Sequence, residues 1–350
     1  MNTSLQKQSV VAPNRWPKIS RRHFLAASAS AVTALACKRT TFAAEKTRPR
    51  HKYIDIHTHL GAFHFGHHVS VKVLLDWMDE HEVERAVIQP LVSPEAAPML
   101  QSMQTSDAAL EAAKAHPDRL IAFCCLDPRV TVDPTATKTY PERQGHVVGV
   151  KGMIEILKRY KDAGARGLGE HKVGLPFDHP QMMQLYEACD TLYLPILFHL
   201  DDLRGIDTPG LPRLENVLKA FPKLPLIGHA CGFWSSISGD VTKEDFGRYP
   251  KVPRPITPGG ALDRLMDVYP NLYADLSEPG GAIALTRDPA FARQFVLRRA
   301  DRLLFGSDYL MPGQQIPQFE ILSAMNLPDD VQSKIHRGNA IRILKLGGQP

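Results

Sequence analysis

The stretch KYIDIHTHLGAF, residues 52–63, sets two histidines one residue apart at the end of a short apolar run. In a β-strand, residues i and i+2 share a face, so His57 and His59 converge on one point, with Asp55 beneath them. Two neutral imidazoles on one face form half of a metal site. Further donors follow at the ends of later apolar runs: Glu170 and His171, then His199 after PILF, His229 after PLIG, and Asp308 after LLFGS. Imidazole with carboxylate suits Zn2+, Mn2+ or Fe2+ rather than Ca2+ or Mg2+. A reactive site of this kind keeps one position open for water.

Elements that gather such residues can be read from the pattern. Short apolar runs at 53–57, 85–90, 119–127, 165–171, 194–200, 224–230, 271–277 and 302–308 alternate with amphipathic stretches. The stretches at 71–81, 150–164, 180–192, 212–221, 288–300 and 328–345 read as helices. Alternation of this kind predicts a parallel sheet with helical crossovers, and eight units predict a closed (β/α)8 barrel. A doubly wound open sheet would gather its ligand at one switch point, whereas here polar residues end many strands. In a barrel every strand end of this sense opens on one rim. The segments 128–149 and 232–258, rich in Pro, Gly, Thr and charge, are expected to be long loops.

With 43% hydrophobic and 23% charged residues the chain has ordinary globular composition. The formal net charge of +5 resides in residues 1–44, which carry seven basic residues and no acidic one, leaving 35 basic against 37 acidic in the body. A nucleic-acid or anionic-membrane role therefore gains nothing from charge. Arg21 and Arg22 precede a modest apolar run, FLAASASAVTALA, too weak to span a bilayer. This segment resembles a twin-arginine export signal, which implies the export machinery as a partner, cleavage near Ala43 or Ala44, no stable membrane insertion and a periplasmic location. Residues 45–350 form the second expected domain, the barrel. Cys124, Cys125, Cys189 and Cys231 lack metal-knuckle or redox spacing and are expected to be buried thiols.

The set HTH (57–59), His199, His229, GSD ending at Asp308 and GNAIRIL (338–344) resembles the amidohydrolase superfamily, in its amidohydrolase-related group of decarboxylase-like and lactone hydrolase-like enzymes. The resemblance implies a metal-dependent barrel enzyme acting on a small molecule. His57, His59, His199 and Asp308 would hold a divalent transition metal, most readily Zn2+. Asp308 would also take a proton from the attacking water, and His229 would be a second-metal ligand or an acid/base group beside the substrate. Glu170 would bridge a second metal or line the pocket. His171 competes with it for the inward face, and one ion is favoured over two. The expected reaction is hydrolysis of a C–O or C–N bond in a lactone, ester or amide. The alternative is non-oxidative decarboxylation of a small aromatic or enol acid. A non-catalytic periplasmic binding protein of the same fold would have lost one or more ligands, and none is missing. Arg204, Arg248 and Arg254 are surface charges that could hold a substrate carboxylate, and Phe233 and Trp234 could wall a pocket or anchor an insertion.

Overall fold

The computed structural model describes residues 52–62, 66–91, 105–129, 149–249 and 254–347. The export-signal reading of residues 1–44 falls outside them, as does most of the 128–149 insertion. Apart from four two-residue strands that pair among themselves, eight strands appear among the described residues in chain order: β1 Tyr53–Thr58, β2 Val83–Ile88, β3 Leu120–Ala122, β4 Leu168–His171, β5 Ile196–His199, β6 Leu226–His229, β7 Leu272–Asp275 and β8 Leu303–Leu304. All the pairings among them are parallel, in the orders β1-β2-β3 and β8-β7-β6-β5-β4. Two seams join these sheets into a ring. The Cys124 amide donates to the Gly167 carbonyl and the Gly169 amide to the Cys124 carbonyl, both at 2.9 Å. The Ile56 amide donates to the Phe305 carbonyl at 2.9 Å and the Asp308 amide to the His57 carbonyl at 2.8 Å.

Crossover helices form where the sequence supplies an apolar stripe and a cap. In Val71–Glu80 the buried Leu74, Trp77 and Met78 fall at helical spacing, and the Ser70 hydroxyl accepts from the Val73 amide at the start. Helices Val150–Asp162, Pro180–Leu192, Pro212–Ala220 and Pro289–Arg299 lie where their periodicity predicts. Between the strands and this helical layer runs one large apolar cluster. A second joins Ile54, Ile56, Val87, Leu197, Ile227, Tyr273 and Leu304 to Ile343 and Leu344 of the C-terminal helix. Drawing on most strands and on no crossover helix, this second cluster fills the barrel interior.

Some expectations change. The 232–258 insertion is partly helical, with Cys231–Ser235 and Lys243–Phe246. The expected helix over 328–345 is divided into Asp329–Ser333, a π turn at Lys334–Gly338 and Asn339–Leu344. Helices Ser106–Ala115, Glu278–Thr286 and Gln318–Ala324 were not anticipated. No helix among the described residues is long and apolar enough to cross a membrane.

Candidate metal centre

Alternation along the strands carries the apolar interior up to a polar rim. Leu197 lies two residues before His199, Ile227 before His229, and Tyr273 before Asp275, so each polar side chain shares the inward face with an interior apolar one. On β1 the alternation is interrupted, because its register with β2 shifts between Asp55 and Thr58. Asp55 therefore holds His57 through its backbone amide and not through its ring. Its Oδ1 accepts from the backbone amides of His57 (2.9 Å) and Ser307 (3.1 Å), tying β1 to the segment after β8.

At the rim the two Nε2 atoms of His57 and His59 stand 2.9 Å apart. Asp308 Oδ1 lies 3.4 Å from the first and 3.3 Å from the second, and Glu170 Oε2 lies at 3.7 and 3.5 Å. Hydrogen-bond partners fix the tautomers. His57 Nδ1 donates to Asp275 Oδ2 at 2.7 Å, and His59 Nδ1 donates to the Gln89 carbonyl at 2.9 Å. Both partners accept only, so each Nδ1 carries a proton and each Nε2 is the nitrogen turned toward the centre. Two imidazole nitrogens and two carboxylate oxygens thus face one another, an arrangement that calls for positive charge among them, as ring protons or as a metal ion. A cation resolves that arrangement, and the donor set fits a divalent transition metal. The electrostatics agree: burial opposes charge on His57, but Asp308, Asp275 and Glu170 outweigh it and hold its pKa well above the ordinary value. Burial likewise opposes ionisation of Asp308, yet His57 and His59 hold it below the usual carboxylate range.

The other expected residues are placed as follows. His57, Glu170 and His229 form a second group whose ligand atoms lie within 4.8 Å of one another. His199 belongs to neither group: its Nδ1 is 2.7 Å from Glu170 Oε1 and its Nε2 3.0 Å from Asp201 Oδ2. Glu170 faces the centre and also pairs with Lys172 at 2.5 Å, while His171 turns away to Met182 Sδ at 3.2 Å. Gly169 makes this possible, since a Cβ there would come within 2.5 Å of the Leu197 carbonyl. Arg204 pairs with Asp201 at 2.6 Å and Arg254 with Asp245 at 2.8 Å, while Arg248 is exposed. Phe233 and Trp234 are buried, and the indole donates to the Asp275 carbonyl at 2.9 Å, so both anchor the chain after β6. The four barrel cysteines are buried, as expected.

Sequence reasoning missed Asp275. Its Oδ2 receives His57 Nδ1 at 2.7 Å, Ser277 Oγ at 2.7 Å and His229 Nδ1 at 3.0 Å, so one buried oxygen orients two imidazoles. Its place at the end of β7 is the same signal that singled out His199 and His229. Glu278, three residues later, was also missed: its Oε2 lies 3.4 Å from His229 Nε2.

A parallel α/β barrel with imidazoles and carboxylates gathered at the C-terminal rim defines the class of protein. The chain belongs to the amidohydrolase family, whose sequence profile matches residues 54–346. Solved structures share the fold. An uncharacterized TIM-barrel protein from Bordetella bronchiseptica is 18% identical with a TM-score of 0.56, over 84% of this chain and 98% of that one. A probable 2-pyrone-4,6-dicarboxylic acid hydrolase from Acinetobacter baumannii, with citric acid bound, is 14% identical with a TM-score of 0.53, over 84% and 100%. A 5-carboxyvanillate decarboxylase from Sphingomonas paucimobilis is 15% identical with a TM-score of 0.50, over 85% and 100%. Comparison with proteins of curated function finds no match.

Proposed function

We propose that the chain is a metal-dependent hydrolase that uses activated water on a C–O or C–N bond of a small carbonyl substrate such as a lactone, ester or amide. The observation that carries this reading is the convergence of His57 Nε2, His59 Nε2, Asp308 Oδ1 and Glu170 Oε2 on one point. His57, His59 and Asp308 would hold one ion, most readily Zn2+, with Glu170 as a further donor. His199 reaches the same ion only by releasing Glu170 or Asp201. A divalent ion in such a site supplies Lewis acidity, lowering the pKa of water from about 15.7 toward about 7 and polarising a carbonyl. Asp308 takes the proton of the attacking water and returns it to the leaving group. His229, its Nδ1–H fixed on Asp275, turns Nε2 toward the substrate.

Decarboxylation would use the same residues, with His229 or Asp308 protonating carbon. Hydrolysis is favoured because, among the described residues, Lys172 and Arg204, the cations that touch the site's carboxylates, are paired with Glu170 and Asp201. The test is metal analysis of wild type, His57→Ala and Asp308→Asn, followed by a panel of lactones, esters, amides and carboxylic acids. Loss of metal in the first variant, and of turnover with metal retained in the second, is expected. Wild type that holds no transition metal after loading overturns the reading, and CO2 release without hydrolysis replaces it with the decarboxylase.

We further propose export by the twin-arginine route, supported by the acid-free basic segment around Arg21 and Arg22. Fractionation of cells producing the native chain and its Arg21→Lys/Arg22→Lys variant tests this. Retention of both in the same compartment refutes it.

A further inference from the structure

Among the described residues, Glu278 is a rim carboxylate held by no lysine or arginine and by no side-chain hydrogen bond at its Oε2. Its Oε2 is buried and, among the described residues, has no hydrogen-bond partner, although it lies 3.4 Å from His229 Nε2. The contact is longer than an ordinary N–H···O hydrogen bond. The neighbouring carboxylates differ: Glu170 holds Lys172 and His199, Asp201 holds Arg204 and His199, and Asp275 holds His57 and His229.

The aim of Glu278 is fixed by its backbone. Its φ is +65°, a left-handed conformation that costs a non-glycine residue about 1 kcal/mol or more, and such strain concentrates where a side chain must be aimed. Gln318 Nε2 holds the turn by donating to the carbonyls of Glu278 (2.8 Å) and Leu276 (3.0 Å), and Pro279 starts the helix that follows.

We propose that Glu278 is a specificity-determining residue that accepts a hydrogen bond from a hydroxyl or N–H of the substrate and disfavours substrates bringing a carboxylate to that position. The inference rests on the metal-dependent reading above and names the substrate class for the same site: hydroxylated or amino-bearing carbonyl compounds in preference to diacids. His229 Nε2 lies 3.9 Å from Glu170 Oε1 and 3.4 Å from Glu278 Oε2, so Glu278 borders the same small space as the centre's own carboxylate and one small ligand can meet both. A site built to receive a donor rejects a ligand without one, because its own buried polar group then stays unpaired.

The experiment uses two probes that share a metal-binding hydroxamate and differ in their tails, 4-hydroxybutanohydroxamate and succinic monohydroxamate. Each is titrated by calorimetry into zinc-loaded wild type, Glu278→Gln and Glu278→Ala, with zinc content measured in parallel. Wild type is expected to bind the hydroxyl-tailed probe at least about tenfold more tightly than the carboxylate-tailed one, a preference each variant reduces to about twofold or less at unchanged zinc content. A preference that is absent in wild type, or equal in all three proteins, overturns the role of Glu278 while leaving the metal reading intact. Binding of neither probe, or wild type without zinc, overturns the metal reading and this inference with it.

Discussion

Replacing Asp275 by asparagine tests the reasoning about tautomers more sharply than replacing a ligand. The side chain keeps its shape, and no candidate ligand changes. Yet Asp275 Oδ2 receives three hydrogen bonds, from His57 Nδ1, His229 Nδ1 and Ser277 Oγ, and Oδ1 receives the Ser277 amide at 3.0 Å. If the asparagine amide nitrogen faces the histidines, it donates to His57 Nδ1 and moves the ring proton to Nε2, removing a lone pair from the centre. If it faces the other way, it opposes the Ser277 N–H, and the negative charge that both imidazoles sense is gone. Loss of such an orienting partner lowers metal affinity about 10–100-fold. Because one oxygen serves two imidazoles, the upper end is expected, about 2.7 kcal/mol. Zinc competition against a chromogenic chelator measures it, with circular dichroism and urea unfolding reporting the fold. Affinity within about threefold of wild type in a folded Asp275→Asn protein would refute the tautomer argument.

Three other outcomes follow from the same coordinates. Burial and the nearby Lys52 push His336 down to about 4, so between pH 6.5 and 4 the unfolded chain binds its proton and the folded chain does not. Stability from this group is therefore complete above pH 6.5 and falls by up to about 3 kcal/mol as pH drops toward 4. His336→Phe, which keeps a ring against Tyr53, should flatten that loss in urea melts at pH 7.5 and 4.5. Gly306→Ala would bring a Cβ to 2.1 Å from Asp275 Oδ1, so zinc affinity and melting temperature should both fall, the latter by an overpacking cost of about 1–3 kcal/mol. Chelation should lower the melting temperature of zinc-loaded protein, since an ion held at a hundredfold over its Kd contributes about 2.7 kcal/mol; an unchanged melt would mean that the ion does not bind the folded barrel preferentially.

Much of the site was legible because period-2 alternation and parallel strand direction are local properties. His57, His59, Glu170, His229 and Asp308 each end an apolar run, and the barrel brings those ends together. What escaped depended on partners distant in the chain or on backbone detail. The choice of Glu170 over His171 rests on the helix Pro180–Leu192, which offers Met182 to the second of them. Asp55 holds the His57 amide and not its ring because β1 changes register beside it, and hydropathy carries no sign of that shift. Asp275 had the right position but an ambiguous residue type, since an aspartate after a strand is as often a turn or a cap; its role appears only when His57, 218 residues away, lies beside it. Glu278 opens a helix whose apolar and small residues have no amphipathic stripe, so neither the helix nor its left-handed first residue could be foreseen.

The same cluster ties chemistry to folding. Asp308, Glu170, Asp275 and Asp201 are all buried or nearly so, and each is held below the usual carboxylate range by neighbouring imidazoles or ammonium and amide donors that outweigh the penalty of burial. Lys172 and Arg204 offset part of that negative charge, and imidazole protons must supply more of it when no ion is bound. Protons and a divalent cation would therefore compete for one set of lone pairs, and ligation would release what the imidazoles had taken up. A barrel rim stable without either would need fewer carboxylates. One that keeps this many has its acceptors arranged in advance around the place where positive charge is required, as electrostatic preorganisation of a catalytic centre demands.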